Sequence, residues 1–414
     1  LYYVGFVQYF YSFHGINVII TINNLYNEGL LNMILIKNGL VFNNNENFEK
    51  KDILIKKDKI TDIRNDISEN GCEVIDAEGF LVLPGFIDIH THGGMGYDIM
   101  NSKCKDLDRL SCFFASKGVT AFLPAVMTAS IEDMITAVRN INLSIKNKTS
   151  GAKIIGINME GPFISYKYRG AHPKEYIILP SVQLLERFIQ ESGNNIKMVT
   201  VAPEVENALS FISHFKERGI VFCAGHTGAD YKTAVEAFEK GFSHVTHLFN
   251  AMAGIHHRSP NLAIAALEKE NITVELICDG IHIDPAIIKM VLKCKSVDNI
   301  VLITDSIITA GVEKGKYHFA GKEVYIENGV AKHKNEVIAG STVTMIDIFK
   351  NMVQRWGIPI ENCIKMASAN ASRAIGLFHK KGSLSCGKDA DIIIMDKKMN
   401  LLTTIVEGNI VYKV

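Results

Sequence analysis

Eight short apolar runs recur between residues 86 and 304, and helix-length stretches separate them. The runs are 86–89, 119–126, 154–159, 198–201, 220–224, 244–248, 274–278 and 300–304. Among the intervening segments, 107–116, 131–145, 183–189, 208–218, 231–240 and 285–294 read as helices. A strand followed by a helix, repeated eight times, predicts an α/β fold of the (β/α)8 TIM-barrel type. The alternative is an open, doubly wound sheet. Neither a GxGxxG after the first run nor a GKS or GKT phosphate loop supports it.

Both ends of the chain are written differently. From Met33 to about Gly79, short pieces such as Ile34-Leu35-Ile36 and Asp52-Ile53-Leu54-Ile55 are separated by polar turns. The C-terminal end does the same at 390–396, 404–406 and 410–412. That is antiparallel strand writing, and the two ends are expected to pair into one small β-sandwich domain. The expected division is therefore 33–82 with 382–414 for the β domain and 83–381 for the barrel. At 414 residues the chain has room for a barrel of about 250 residues and such an appendage. Residues 1–32 contain no Lys or Arg and precede the regular pattern, which starts at Met33. They read as an extension, or else as an aromatic-rich arm packed on the fold or on a partner.

Charge excludes some partners. Lys+Arg and Asp+Glu both total 44, so no basic excess argues for nucleic acid or an anionic membrane. Any anion site must be local. The eight cysteines form no CxxC and read as reduced thiols, which implies a cytoplasmic address.

Chemistry-bearing residues gather where the runs end. His90 and His92 end the first, in Asp88-Ile89-His90-Thr91-His92. Alternate side chains of a strand share a side, so the pair can face one point in space. Glu160 ends the third run, His226 the fifth, His247 the sixth and Asp305 the eighth. A single carboxylate after a strand usually caps a helix, and a single histidine there is usually a satisfied polar group. Six such groups at corresponding positions on five strands point instead to a metal site at the C-terminal rim of the barrel. The donors are nitrogen and oxygen without thiolate, a set that fits zinc, iron, manganese or cobalt. Glu160 has two oxygens and can bridge two ions. Asp305 is the candidate general base beside a metal-activated water.

From Met33 onward the chain resembles the amidohydrolase superfamily, and within it the N-acetylglucosamine-6-phosphate deacetylases. The resemblance rests on Pro84-Gly85-Phe86-Ile87-Asp88-Ile89-His90-Thr91-His92-Gly93, Glu160-Gly161-Pro162-Phe163 followed by Gly170-Ala171-His172, and Thr246-His247-Leu248-Phe249-Asn250-Ala251-Met252. Val201-Ala202-Pro203-Glu204, Asp279-Gly280-Ile281-His282 and Ala339-Gly340-Ser341-Thr342 extend it. It implies hydrolysis of the acetamide of a phosphorylated amino sugar. Asp305 would act as base and then as acid, and His172 would polarise the carbonyl. His90, His92, Glu160, His226, His247 and Asp305 would hold one or two divalent ions. Ala171, Asn250, Ala251, His282, Ile338, Ala339 and Gly340 would contact the sugar phosphate. Arg258 would reach the phosphate in a neighbouring subunit, which implies a homodimer. Asn158-Met159 before the glutamate and Ser306-Ile307 after Asp305 depart from the family's usual pattern.

Two rival readings are weaker. Cyclic-amide hydrolases of the superfamily use a modified lysine at the end of the fourth strand, and none stands there in Met198-Val199-Thr200-Val201. A non-catalytic scaffold should have lost ligands, yet all six groups remain.

Overall fold

The computed structural model describes residues 7–13, 16–22, 33–312, 315–327, 329–333 and 338–414. Eight parallel strand positions follow one another around a barrel: Phe86–Thr91, Val119–Met127, Lys153–Ile154 with Ile157–Glu160, Ile196–Val201, Val221–Ala224, Phe242–Val245, Thr273–Ile277 and Ile300–Ile303. Each pairs with its sequence neighbour, as in Val199↔Phe222 and Leu276↔Leu302. Closure comes just past the last strand. The Asp305 N–H donates to His90 O at 2.9 Å, and the His92 N–H donates to Ser306 O at 2.7 Å. The first and last strands are thus tied together at three of the residues expected to hold a metal, His90, His92 and Asp305.

Two apolar layers hold the barrel. Ile87, Ile89, Ala121, Leu123, Met198, Cys223, Ile277, Val301 and Ile303, drawn from six strands, form a cluster along its axis. Phe86, Phe122, Val199, Phe222, Val274 and Leu302 join the helices in a larger outer layer. Strands buried on both faces must be apolar at successive positions, which is why these runs carry little alternation.

Several expected boundaries move, each for a visible reason. The run 154–159 is two strands. Gly156, at φ +153°, lets the chain pass from Phe122 to its next neighbour, and a Cβ there would meet Lys197 Cγ at 2.2 Å. The expected helix 208–218 is Ala208–His214 followed by a 3-10 turn, because the chain bends to bury Phe215. The sixth strand ends at Val245, so His247 and Leu248 lie in the turn beyond it. A four-stranded antiparallel sheet, Lys316–Phe319, Lys322–Glu327, Val330–His333 and Ile338–Gly340, interrupts the stretch assigned wholly to barrel.

The second sheet joins both chain ends. Leu81–Pro84 pairs antiparallel with Ile392–Met395, and the order continues through Leu401–Val406 to Asn409–Lys413 on one side. On the other side lie Met33–Phe42, Phe48–Lys56 and Lys59–Arg64. Alternation assigns its faces: Ile34, Ile36, Ile53 and Ile55 pack in one cluster, Leu35 and Leu54 in another. Of residues 1–32, Val7–Phe13 and Ile16–Ile22 form an antiparallel pair. The rest of the expected extension lies outside the described residues.

One buried cation fastens this sheet. Lys381 Nζ lies 2.8 Å from Asp389 Oδ2, 2.8 Å from Asp391 Oδ2 and 3.1 Å from Glu407 Oε1. Burial opposes its charge, but Asp391 and Glu407 hold the ammonium well above the usual lysine range. Removing one partner of such a group leaves uncompensated buried charge. Lys381→Met should therefore lower the free energy of unfolding by about 3–5 kcal/mol, read as a lower urea midpoint. An unchanged midpoint would show that the cluster contributes no net stability.

Candidate metal centre

Three residues of the expected site leave their strands with left-handed backbone: His226 at φ 47°, His247 at 28° and Asp305 at 47°. None is glycine, and such conformations cost roughly 1–3 kcal/mol each unless surrounding bonds enforce them. The enforcing bonds are present for two of them. The His247 N–H donates to Glu275 Oε2 at 3.0 Å, and the Asp305 N–H to His90 O. Before His226, Gly225 allows a close approach, since a Cβ there would meet Thr246 Cβ at 2.7 Å and Thr200 Cγ2 at 2.9 Å. Each turn redirects a strand-end side chain.

All six side chains meet at one place. His90, His92 and Asp305 offer donor atoms within 4.8 Å of one another, and so do Glu160, His226 and His247. Glu160 stands between the two groups. Its Oε1 lies 2.9 Å from both His226 Nε2 and His247 Nε2, and its Oε2 lies 3.2 Å from His92 Nε2. Asp305 Oδ1 is 3.3 Å from His92 Nε2 and 3.7 Å from His90 Nε2.

The donors fit a cation. His90 Nε2 is fully buried without a hydrogen-bond partner among the described residues, with carboxylate oxygens 3.5 and 3.7 Å away. His226 Nε2 and His247 Nε2 approach to 3.1 Å, where two N–H groups would repel. Burial, with His172 and His247 close by, pushes His226 down to about 4 against the pull of Glu160, so its imidazole is neutral and able to donate a lone pair. Burial likewise opposes charge on Glu160, but His172 and His90 hold its carboxyl well below the usual range. His92, though buried, is drawn up to about 9 by Asp305 and Glu160. Positive charge is favoured at that point, whether a proton or a metal carries it.

His172 joins the same cluster. The Thr128 N–H donates to His172 Nδ1 at 3.2 Å, so the proton of a neutral ring sits on Nε2. That Nε2–H faces Glu160 Oε2 at 3.1 Å. Ala171 precedes it on the same loop. Asn250 and Ala251 follow His247, with Asn250 Nδ2 donating to the carbonyls of His247 and Leu248. His282 is bound through Nδ1 to Asp279 Oδ2 at 2.6 Å. Ile338, Ala339 and Gly340 form the last strand of the inserted sheet, which returns to the barrel where the Ser341 N–H donates to Asp305 O. Phe319 of that sheet lies against His92, with ring centroids 5.9 Å apart. Arg258 lies on an exposed loop, with Nη1 2.7 Å from His257 Nε2.

Sequence reasoning passed over four supporting groups. Glu275 and His244 lie inside apolar runs behind His90, and Asp88 accepts from the Thr304 hydroxyl and N–H. Asp279 orients His282. For Glu275, His244 and Asp88 the signal was a polar or charged group within an apolar run on a strand buried on both faces, where an unpaired charge is costly.

Residues 81–411 match the model of the amidohydrolase family, and the chain belongs to that family. Within it, the chain is 36% identical over 335 residues to the N-acetylglucosamine-6-phosphate deacetylase of Bacillus subtilis, covering 80% of this chain and 85% of the relative. It is 33% identical to the N-acetylgalactosamine-6-phosphate deacetylase of Escherichia coli O157:H7, covering 81% and 89%. The solved N-acetylglucosamine-6-phosphate deacetylase of Pasteurella multocida superposes with a TM-score of 0.86 at 31% identity, covering 91% of this chain and 99% of that one. An aspartate-to-alanine mutant of the Mycobacterium smegmatis N-acetyl-D-glucosamine-6-phosphate deacetylase, solved in complex with N-acetyl-D-glucosamine-6-phosphate, gives 0.85 at 28% identity, covering 93% and 100%.

Because Glu160 faces both donor groups and His92 only one, their variants should differ. Metal analysis after dialysis is expected to show one group emptied in His92→Ala and both depleted in Glu160→Ala. Equal losses would contradict the shared position of Glu160.

Proposed function

We propose that this chain is a metal-dependent deacetylase that hydrolyses the acetamide of N-acetylglucosamine 6-phosphate to acetate and glucosamine 6-phosphate. The observation that carries this is the pair of nitrogen–oxygen donor groups sharing Glu160 at the C-terminal rim of the barrel. His90, His92 and Asp305 would hold one divalent ion, and His226 with His247 a second, bridged by Glu160. Zinc, iron, manganese or cobalt suits these donors. A bound ion would supply Lewis acidity and a water of lowered pKa.

The chain's own groups divide the remaining work. Asp305 is the most accessible member of the cluster, its side chain 15% exposed against 4% for Glu160 and 5% for His92. Burial acts to raise its pKa, but His92 and His90 hold it below the usual aspartate value, so it begins as a carboxylate. It takes the proton of the attacking water as the water oxygen bonds to the acetamide carbon. When the carbon–nitrogen bond breaks, the same proton passes to the departing amine. The His172 Nε2–H, which faces Glu160 Oε2 at 3.1 Å in the free protein, would instead donate to the carbonyl oxygen as negative charge builds there. His282, Asn250, Ala251 and 338–340, with Ala171, would line the sugar phosphate.

A homodimer completes this site in our reading. Arg258 is exposed, as a residue serving a neighbour's phosphate would be. Tyr166, Tyr176, Leu179, Ile255 and Ile281 are exposed apolar side chains on loops of the same rim, suited to subunit contact. A cytoplasmic location accords with eight free cysteines.

The E. coli relative's name makes the galactosamine epimer the second sugar to test. Acetate and free amine should be measured from both N-acetylated 6-phosphates with the metal-loaded protein. Turnover is expected on the glucosamine compound, and Asp305→Asn should reduce it by about 10²–10⁴-fold. No acetate from either sugar phosphate would remove the proposed function. Arg258→Ala should raise KM for the phosphorylated sugar far more than for its unphosphorylated analogue. An equal effect on both would remove its phosphate role.

A further inference from the structure

Glu275 is a carboxylate for which the proposed chemistry has no use. It sits in the middle of the strand Thr273–Ile277 and is 0% exposed. An apolar residue there would cost less, since a buried carboxylate is tolerated only when paired and hydrogen-bonded. Its partners say what it does. Oε2 lies 3.1 Å from His90 Nδ1 and also accepts from the His247 N–H at 3.0 Å. Oε1 lies 3.1 Å from His244 Nε2.

Two consequences follow from donor and acceptor chemistry. An ionised carboxylate only accepts, so the proton of a neutral His90 must sit on Nδ1. Its Nε2 is then a bare lone pair, and that is the atom aimed between Glu160 and Asp305. The same oxygen fixes the peptide of His247, whose left-handed turn brings His247 Nε2 to 2.9 Å from Glu160 Oε1. One carboxylate therefore reaches a member of each donor group. His244, itself buried, restrains the other oxygen, and its Nδ1 has no partner among the described residues.

We propose that Glu275 is a positioning residue: it holds His90 in the metal-binding tautomer and props the turn that carries His247, with His244 keeping its carboxylate in place. This rests on the metal reading above. Partners of this kind behind a ligating histidine typically contribute 10–100-fold in metal affinity.

The test is a cobalt(II) titration of the metal-free protein, followed by visible absorption and equilibrium dialysis. Parent, Glu275→Gln and His244→Gln are compared, with melting curves of the metal-free forms to establish folding. Glu275→Gln is expected to weaken cobalt binding by about 10–100-fold and to shift the absorption bands, because the geometry at His90 changes. His244→Gln should move both in the same direction by less, and it carries the test if Glu275→Gln does not fold. Cobalt affinity and spectrum equal to the parent's in the folded variants would overturn the role of Glu275 while leaving the metal centre standing. A parent that takes up no cobalt would remove the metal reading and this inference with it.

Discussion

Glu160 is the constraint on which the rest of the structure depends. Four imidazoles, those of His92, His172, His226 and His247, lie within 3.2 Å of its two oxygens, and His90 stands at 3.5 Å. A buried carboxylate needs compensation, and buried imidazoles need defined tautomers. Gathering them solves both problems only if the strands end in register, so that residues 160, 226 and 247 arrive at one height. The barrel supplies that register. Its closure between the first and last strands, through the backbone of His90, His92 and Asp305, adds the remaining donors.

Strain and support are distributed accordingly. His226, His247 and Asp305 adopt left-handed backbone at the rim, while the charges that enforce the geometry lie one layer deeper. Asp88 ties Thr304 to the first strand, and Glu275 ties His90 to the turn of His247. The inserted sheet packs Phe319 against His92 and returns to the barrel at Ser341, and Asp305 is the least buried member of the cluster.

The meeting of these six side chains was legible in the sequence because they stand at or near the ends of apolar runs, where a polar residue is conspicuous. Glu275, Asp88 and His244 were not, because they fall inside runs that read as uniformly buried strand. Their meaning depends on which strand lies beside which, and a linear sequence does not state that. The inserted sheet was missed although Ala320-Gly321 and Glu327-Asn328-Gly329 carry turn chemistry between short alternating segments. Eight barrel strands had already accounted for the fold, and nothing local marks an insertion. The small sheet fared better, since Ile34-Leu35-Ile36 and Asp391-Ile392-Ile393-Ile394 carry strand character without long-range information.

The central claim is that far-apart imidazoles and carboxylates converge to hold cations at the barrel rim. Anomalous X-ray scattering at the zinc edge, from crystals of the zinc-loaded protein, tests it most directly. The account predicts one peak among Glu160, His226 and His247 and a second among His90, His92 and Asp305, with Glu160 between them. Zinc bound elsewhere, with these side chains bare, would contradict it.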